Sequence, residues 1–219
     1  MYGIMKKFLI IFLAFNLVAC SADEEVKDEE SLTDVFNDLN NELTELADES
    51  QKLLWTLQTD SVFCEIEIPN RMKEKPMLNQ EASIKYGEIV EIDGKVFENY
   101  ILVLPETFAE IESYDLDVEL NTVNYHEICK EKLVEGLFDV VIIEESEEPI
   151  DLNGSDAIIS IIEGKKMITE ELTIAIYYEL AVVQGEKGFY QILSWTLSDQ
   201  KDKYADDMDR MTNSFKELK

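Results

Sequence analysis

The sequence predicts an α+β fold in which an antiparallel β-sheet is covered by helices on both faces. Three features of its 219 residues carry that expectation. Apolar residues alternate with period two within 52–68, and extended or apolar runs recur over 82–104 and 138–197, as strands do. The links between several runs are short and hold glycine, which suits hairpins. One late run, 172–183, is apolar on both faces, and such a strand needs cover on both sides.

Composition sets the outer limits. A hydrophobic fraction of 46% is enough for a buried core, and the length fits one domain or at most two. The chain has 48 Asp+Glu against 19 Lys+Arg, a formal charge of −29. Phosphate backbones and anionic headgroups repel such a polyanion, which excludes nucleic-acid binding as a main role. His126 is the single histidine, so paired-histidine metal sites are excluded and any triad would rest on that one side chain.

The first element is an address. Lys6 and Lys7 precede an apolar run over residues 8–19, interrupted at Asn16 and followed by Cys20. Two positive charges before a short apolar stretch make a secretory signal, and a bilayer span needs ~20 apolar residues. Leu17-Val18-Ala19-Cys20 resembles the bacterial lipobox. That resemblance implies cleavage before Cys20 and a diacylglyceryl thioether on it, and two acyl chains make a stable membrane anchor. Residues 1–19 are then a lipoprotein signal peptide.

Residues 20–31 read as an acidic tether. Six acids and one lysine fall within 21–30, a block that repels itself and stays solvated. Cys20-Ser21-Ala22-Asp23-Glu24-Glu25 resembles the export signal of surface lipoproteins in some Gram-negative bacteria. Ser21 also stands where the inner-membrane retention rule wants aspartate. These resemblances imply an exported outer-membrane lipoprotein, with the cell surface and the periplasmic face as its two alternatives.

Residues 32–51 follow as an amphipathic helix. Leu32, Phe36, Leu39, Leu43 and Leu46 lie on one face, and Ser31 with Asp34 supplies a cap. From residue 52 the chain is read as one α/β domain reaching 219. Leu53, Trp55 and Leu57, then Val62, Cys64, Ile66 and Ile68, alternate about a turn at Asp60-Ser61. Pro76 places an irregular stretch over 70–80. Residues 82–92 and 96–104 form a pair about Asp93-Gly94-Lys95, with Pro105 as its stop. A helix is expected over 120–137, with Val123, Ile128, Leu133 and Leu137 at loose helical spacing. Four apolar runs follow, at 138–143, 157–162, 171–183 and 189–197, with Gly164-Lys165-Lys166 and the segment 185–188 as links. A final helix, capped by Ser198 or Asp199, sets Tyr204, Met208, Met211, Phe215 and Leu218 on one face.

This order resembles the PsbP-like α/β/α sandwich of the Mog/PsbP superfamily. The residues that carry the likeness are the opening hairpin ending in Ile68-Pro69-Asn70-Arg71-Met72, the strand Phe189-Tyr190-Gln191-Ile192-Leu193-Ser194-Trp195-Thr196, and Ser214-Phe215 at the last helix. The resemblance covers residues 52–218. It implies a protein-binding scaffold more than an enzyme, because the family includes a photosystem accessory protein, a nuclear-transport factor that binds a small GTPase, and bacterial lipoproteins. The helix over 32–51 departs from the simplest form of the fold.

Little in the sequence points to chemistry. The eight glycines make no phosphate-cradling spacing, and no cofactor is expected. His126 and Cys129 stand at i, i+3 without an obvious orienting group, so His126 is expected on a partly exposed helical face. Cys64 and Cys129 are either two separate buried thiols or a disulfide, whose loop closure would contribute roughly 4 kcal/mol. Glu144, Glu145, Glu147, Glu148 and Asp151 form a candidate acidic interaction loop for a basic protein partner. In Asp151-Leu152-Asn153-Gly154-Ser155-Asp156 the glycine is misplaced for an EF-hand, so the segment reads as a turn. The leading expectation is a non-enzymatic scaffold held to the membrane by lipid. A small-molecule or Ca²⁺-binding module is the alternative, and an enzyme the third.

Overall fold

The computed structural model describes residues 54–60, 63–92, 94–113, 118–169 and 172–218. The signal peptide, Cys20, the acidic tether and the expected helix over 32–51 lie outside the described residues. Among those described, no helix is long and apolar enough to cross a membrane.

The expected opening hairpin forms from β1 (Trp55–Asp60) and β2 (Cys64–Pro69), paired from Trp55↔Pro69 to Asp60↔Cys64. A short β11 (Lys216–Glu217) joins the other side of β2 to complete a three-stranded sheet. The main sheet has eight strands: β3 (Lys73–Glu74), β4 (Ile84–Ile92), β5 (Lys95–Thr107), β6 (Phe138–Glu145), β7 (Ile150–Leu152), β8 (Ser155–Met167), β9 (Thr173–Gln184) and β10 (Gly188–Leu197). Their order is β3-β4-β5-β10-β9-β8-β6, with β7 beside β8, and every pairing is antiparallel. The helices that lie wholly within the described residues are α1 (Phe108–Glu112), α2 (Thr122–Glu135) and α3 (Lys201–Asn213), the last entered through a 3-10 turn at Ser198–Gln200.

The core divides into clusters that use alternate residues of the same strands. Ala181, Val183, Tyr190 and Ile192 pack with Cys64, Ile66 and Ile68 of β2 and with Tyr204, Met208 and Met211 of α3. Leu180, Val182 and Phe189 pack instead with Tyr125 and Cys129 of α2. Ile162, Ile176 and Tyr178 pack with Leu133, Val134 and Leu137. The blurred alternation of residues 172–183 is thus a strand with partners on each side. Each large apolar side chain so buried contributes roughly 1.5–3 kcal/mol.

Several expected boundaries move, each for a physical reason. Pro105 does not stop β5, which runs on to Thr107 with Pro105 opposite Tyr190. Pairing with β4 has ended by Ile84↔Val103, so β5 has one neighbour there and tolerates a residue without an N–H. Gly164-Lys165-Lys166 is no turn: it lies within β8, opposite Ile176, Ala175 and Ile174. The stretch 70–80 contributes the two-residue β3, at a sheet edge. The last helix ends at Asn213, and Phe215, although buried, lies beyond it, while Leu218 follows β11.

The turn expected at Asp151–Asp156 joins β7 to β8. Leu152 pairs with Ser155, leaving Asn153 and Gly154 as a two-residue hairpin loop with φ of 53° and 89°. Asn-Gly suits such a loop because both positions need the left-handed region.

Candidate functional site

β6 closes one end of the main sheet, with β8 on one side and no strand on the other among the described residues. Its sequence, FDVVIIEE, leaves Phe138, Val140, Val141, Ile142 and Ile143 exposed, with Val141 at 56%. Consecutive strand residues point to opposite faces, so both faces of this edge are open. A long exposed apolar edge is what sheet proteins ordinarily shield, and where it is left open it pairs readily with another chain. The pairing with β8 is regular at Val141–Ile142 and shifts register on either side, with Asp139 at a φ of 51°.

Charge divides the two ends of this edge. Beside Phe138 lie Lys165, which pairs with it across the ladder and bonds Asp139 at 2.8 Å, and the exposed Lys166. At the other end Glu144, Glu147 and Glu148 are exposed. Two residues of the expected acidic loop, Glu144 and Glu145, therefore belong to the strand, and Glu147 and Glu148 lie in the link to β7.

Glu145 is not a free loop acid. Its Oε2 accepts from Lys130 Nζ at 2.7 Å and from Ser160 Oγ at 2.6 Å. Burial alone would raise this carboxyl, but the Lys130 and Ser160 hydrogen bonds outweigh it and hold the group below the usual carboxylate range. Ser160 Oγ lies 2.9 Å from His126 Nε2. The hydroxyl has one proton and gives it to Glu145, so His126 must donate from Nε2, which assigns the tautomer.

His126 is buried, not partly exposed as expected. The buried stripe of α2 is Thr122, Tyr125, His126 and Cys129, whereas Val123 faces solvent. Burial pushes the imidazole down to about 4, so it is neutral at pH 7. In a serine-histidine-acid triad the histidine stands between the other two, but here the serine does. Ser160 is wholly buried as well, so its hydroxyl is not presented to a substrate.

His126, Glu127 and Glu145 bring ligand atoms within 4.8 Å of one another. Lys130 Nζ already bonds both carboxylates at 2.7 Å, and its ammonium supplies the positive charge that they require. The cluster therefore fastens α2 to β6 and β8. Its one sequence signal was the spacing of His126, Glu127 and Lys130, because the partners Glu145 and Ser160 come from other elements.

Cys64 and Cys129 are both free and buried, in separate core clusters. Asp151 Oδ1 accepts from Gly154 N at 3.0 Å, and the Asn153 side-chain amide donates to the carbonyls of Asn213 and Phe215, both at 2.8 Å. These oxygen-bearing side chains hold a turn and the C-terminal segment. The adjoining groove, about 670 Å³, is polar, lined by Asp156, Gln184, Glu186, Lys216 and Glu217 among others.

No family model matches the chain, and no curated protein matches it. Among solved structures it is similar to the cyanobacterial PsbP (CyanoP) of Synechocystis, with a TM-score of 0.46 and 10% identity over 75% of this chain and 92% of that one. It is similar to the Ran-binding protein Mog1p of Saccharomyces cerevisiae, with a TM-score of 0.45 and 10% identity over 70% and 89% of the two chains. It is also similar to LpqN of Mycobacterium tuberculosis, involved in cell envelope biogenesis, with a TM-score of 0.45 and 10% identity over 75% and 91%.

Proposed function

We propose that the chain is a non-enzymatic, membrane-tethered lipoprotein whose domain binds a protein partner along β6. The single observation that carries this reading is the open edge, apolar on both faces and ending in exposed glutamates. Strand addition would continue the sheet beyond β6, and the glutamates favour a partner that brings cations to that end.

The sandwich expected from the sequence, with helices on both faces of the sheet, is part of this reading. Its support is the alternation along β9, where Ala181 and Val183 cluster with α3 and Leu180 and Val182 with α2. The lipobox resemblance at Cys20 and the acidic stretch after it support a signal over 1–19, a tether over 20–31, a helix over 32–51 and the α/β domain from 52 onward. Outer-membrane and surface display rest on the same N-terminal resemblance.

The test is in-cell crosslinking of the full chain followed by membrane fractionation and co-purification. Reproducible protein partners, together with release of Cys20→Ala from the membrane, are the expected results. A Ca²⁺-dependent melting shift without partners would favour the binding-module alternative and contradict the scaffold.

A further inference from the structure

The partner that best fits the β6 edge is a second copy of this chain. We propose that β6 pairs antiparallel with β6 of another molecule across a two-fold axis at Val141, continuing the main sheet through a dimer. This inference rests on the reading of β6 as a protein-binding edge and names its occupant.

Three features of the edge are self-complementary. First, Val140, Val141, Ile142 and Ile143 are four β-branched residues in succession. A two-fold axis normal to the sheet keeps each side chain on its own face, so Val141 meets the partner's Val141 and Val140 the partner's Ile142, β-branched pairs that suit cross-strand contact on both faces. Second, the regularly paired step Val141–Ile142 lies between the two register shifts, so the axis falls on the least distorted part of the strand.

Third, the charges at the two ends are opposite. An isologous two-fold contact places each end of one strand against the other end of its mate. Lys165 and Lys166, beside Phe138, then approach the partner's Glu144, Glu147 and Glu148, and the reverse holds across the axis. In this register Asp139 faces the partner's Ile143, and its carboxylate keeps Lys165 as its ion-pair partner at 2.8 Å.

Other occupants fit less well. The chain's own segment 21–30 would bring six acids to an edge that ends in glutamates. The overall charge of −29 also opposes two copies meeting, yet that repulsion acts over distance and is screened beyond about 8 Å at physiological ionic strength. The lysine-to-glutamate contacts are local and survive that screening better, so association is stronger at physiological salt than in dilute buffer.

The test uses the full chain in cells, with Val141→Cys and Ile142→Cys made separately and exposed to a mild oxidant. Antiparallel neighbours have Cα atoms about 4.5–5.5 Å apart, within the range that a disulfide spans. Val141→Cys is expected to form a covalent dimer that Ile142→Cys, offset from its own copy by two residues, wild type and Glu91→Cys, exposed on β4, do not. Lys166→Glu should weaken the noncovalent dimer about fivefold, given two exposed ion pairs per dimer, and adding Glu147→Lys should restore it. Covalent dimer of Val141→Cys no greater than in the Glu91→Cys control overturns the proposal. If the Val141→Cys chain joins only to other proteins, the second copy is wrong while the edge reading stands. If edge substitutions alter neither self-association nor any partner crosslink, both fail.

Discussion

His126 Nε2 lies 2.9 Å from Ser160 Oγ, with both residues buried between α2 and β8. The imidazole is held neutral there, its pKa lowered from 6.5 to about 4 by burial. Between those values the unfolded chain binds a proton that the folded chain refuses. The stability tied to this group is fully present above pH 6.5 and is lost as pH falls toward 4, by about 3 kcal/mol in all. Urea unfolding at pH 7 and pH 4.5 should register that loss in wild type, and His126→Gln should flatten it. An equal acid sensitivity in the variant would contradict the assignment.

Glu179 behaves in the opposite sense. Burial raises its carboxyl to about 7, against a hydrogen bond from Thr212 that lowers it. The folded chain here holds a proton that the unfolded chain releases, so the contribution is complete below pH 4.5 and is lost as pH rises through about 7. Glu179→Gln, a neutral isostere, should raise the melting temperature at pH 8 and change it little at pH 5. A gain equal at both values would exclude a titrating Glu179.

Burial pushes the thiols of Cys64 and Cys129 up to about 12. At pH 8 neither should react with a water-soluble disulfide reagent while the chain is folded, and both should react in denaturant. Reduction should not change the mass. A bridge between them would leave neither thiol to titrate until reductant is added.

Gly188 opens β10 where it meets the end of β5, and a Cβ there would stand 2.0 Å from the Glu106 carbonyl oxygen. Because the obstacle is backbone, Gly188→Ala should cost roughly 2–4 kcal/mol by separating the two strands. Gly136→Ala, which meets nothing within 4 Å, should fall within about 0.5 kcal/mol of wild type. Denaturant midpoints of the two variants make the comparison.

The strands were legible wherever a local pattern decides them. Cys64, Ile66 and Ile68 announce their face by alternation alone, and Tyr204, Met208 and Met211 announce theirs by helical spacing. Burial of α2 was not legible in that way, because its inward stripe mixes Thr122, Tyr125, His126 and Cys129 while apolar Val123 faces out. The α1 turn did have a signal in the capping-box spacing of Thr107 and Glu110, which bond reciprocally. At the site, the acids of 144–148 could be read, but the openness of β6 could not. An apolar run looks the same at the centre of a sheet and at its edge, and only the strand order distinguishes them.

The central claim is that the domain binds protein through β6. Crosslinked co-purification of the full chain, wild type against Val141→Lys, tests it most directly, because Val141 is exposed and its substitution should leave folding intact. The account predicts that crosslinked protein, whether a second copy or another chain, is lost in the variant while its melting temperature stays near that of wild type. Undiminished crosslinking by a folded Val141→Lys chain would contradict it.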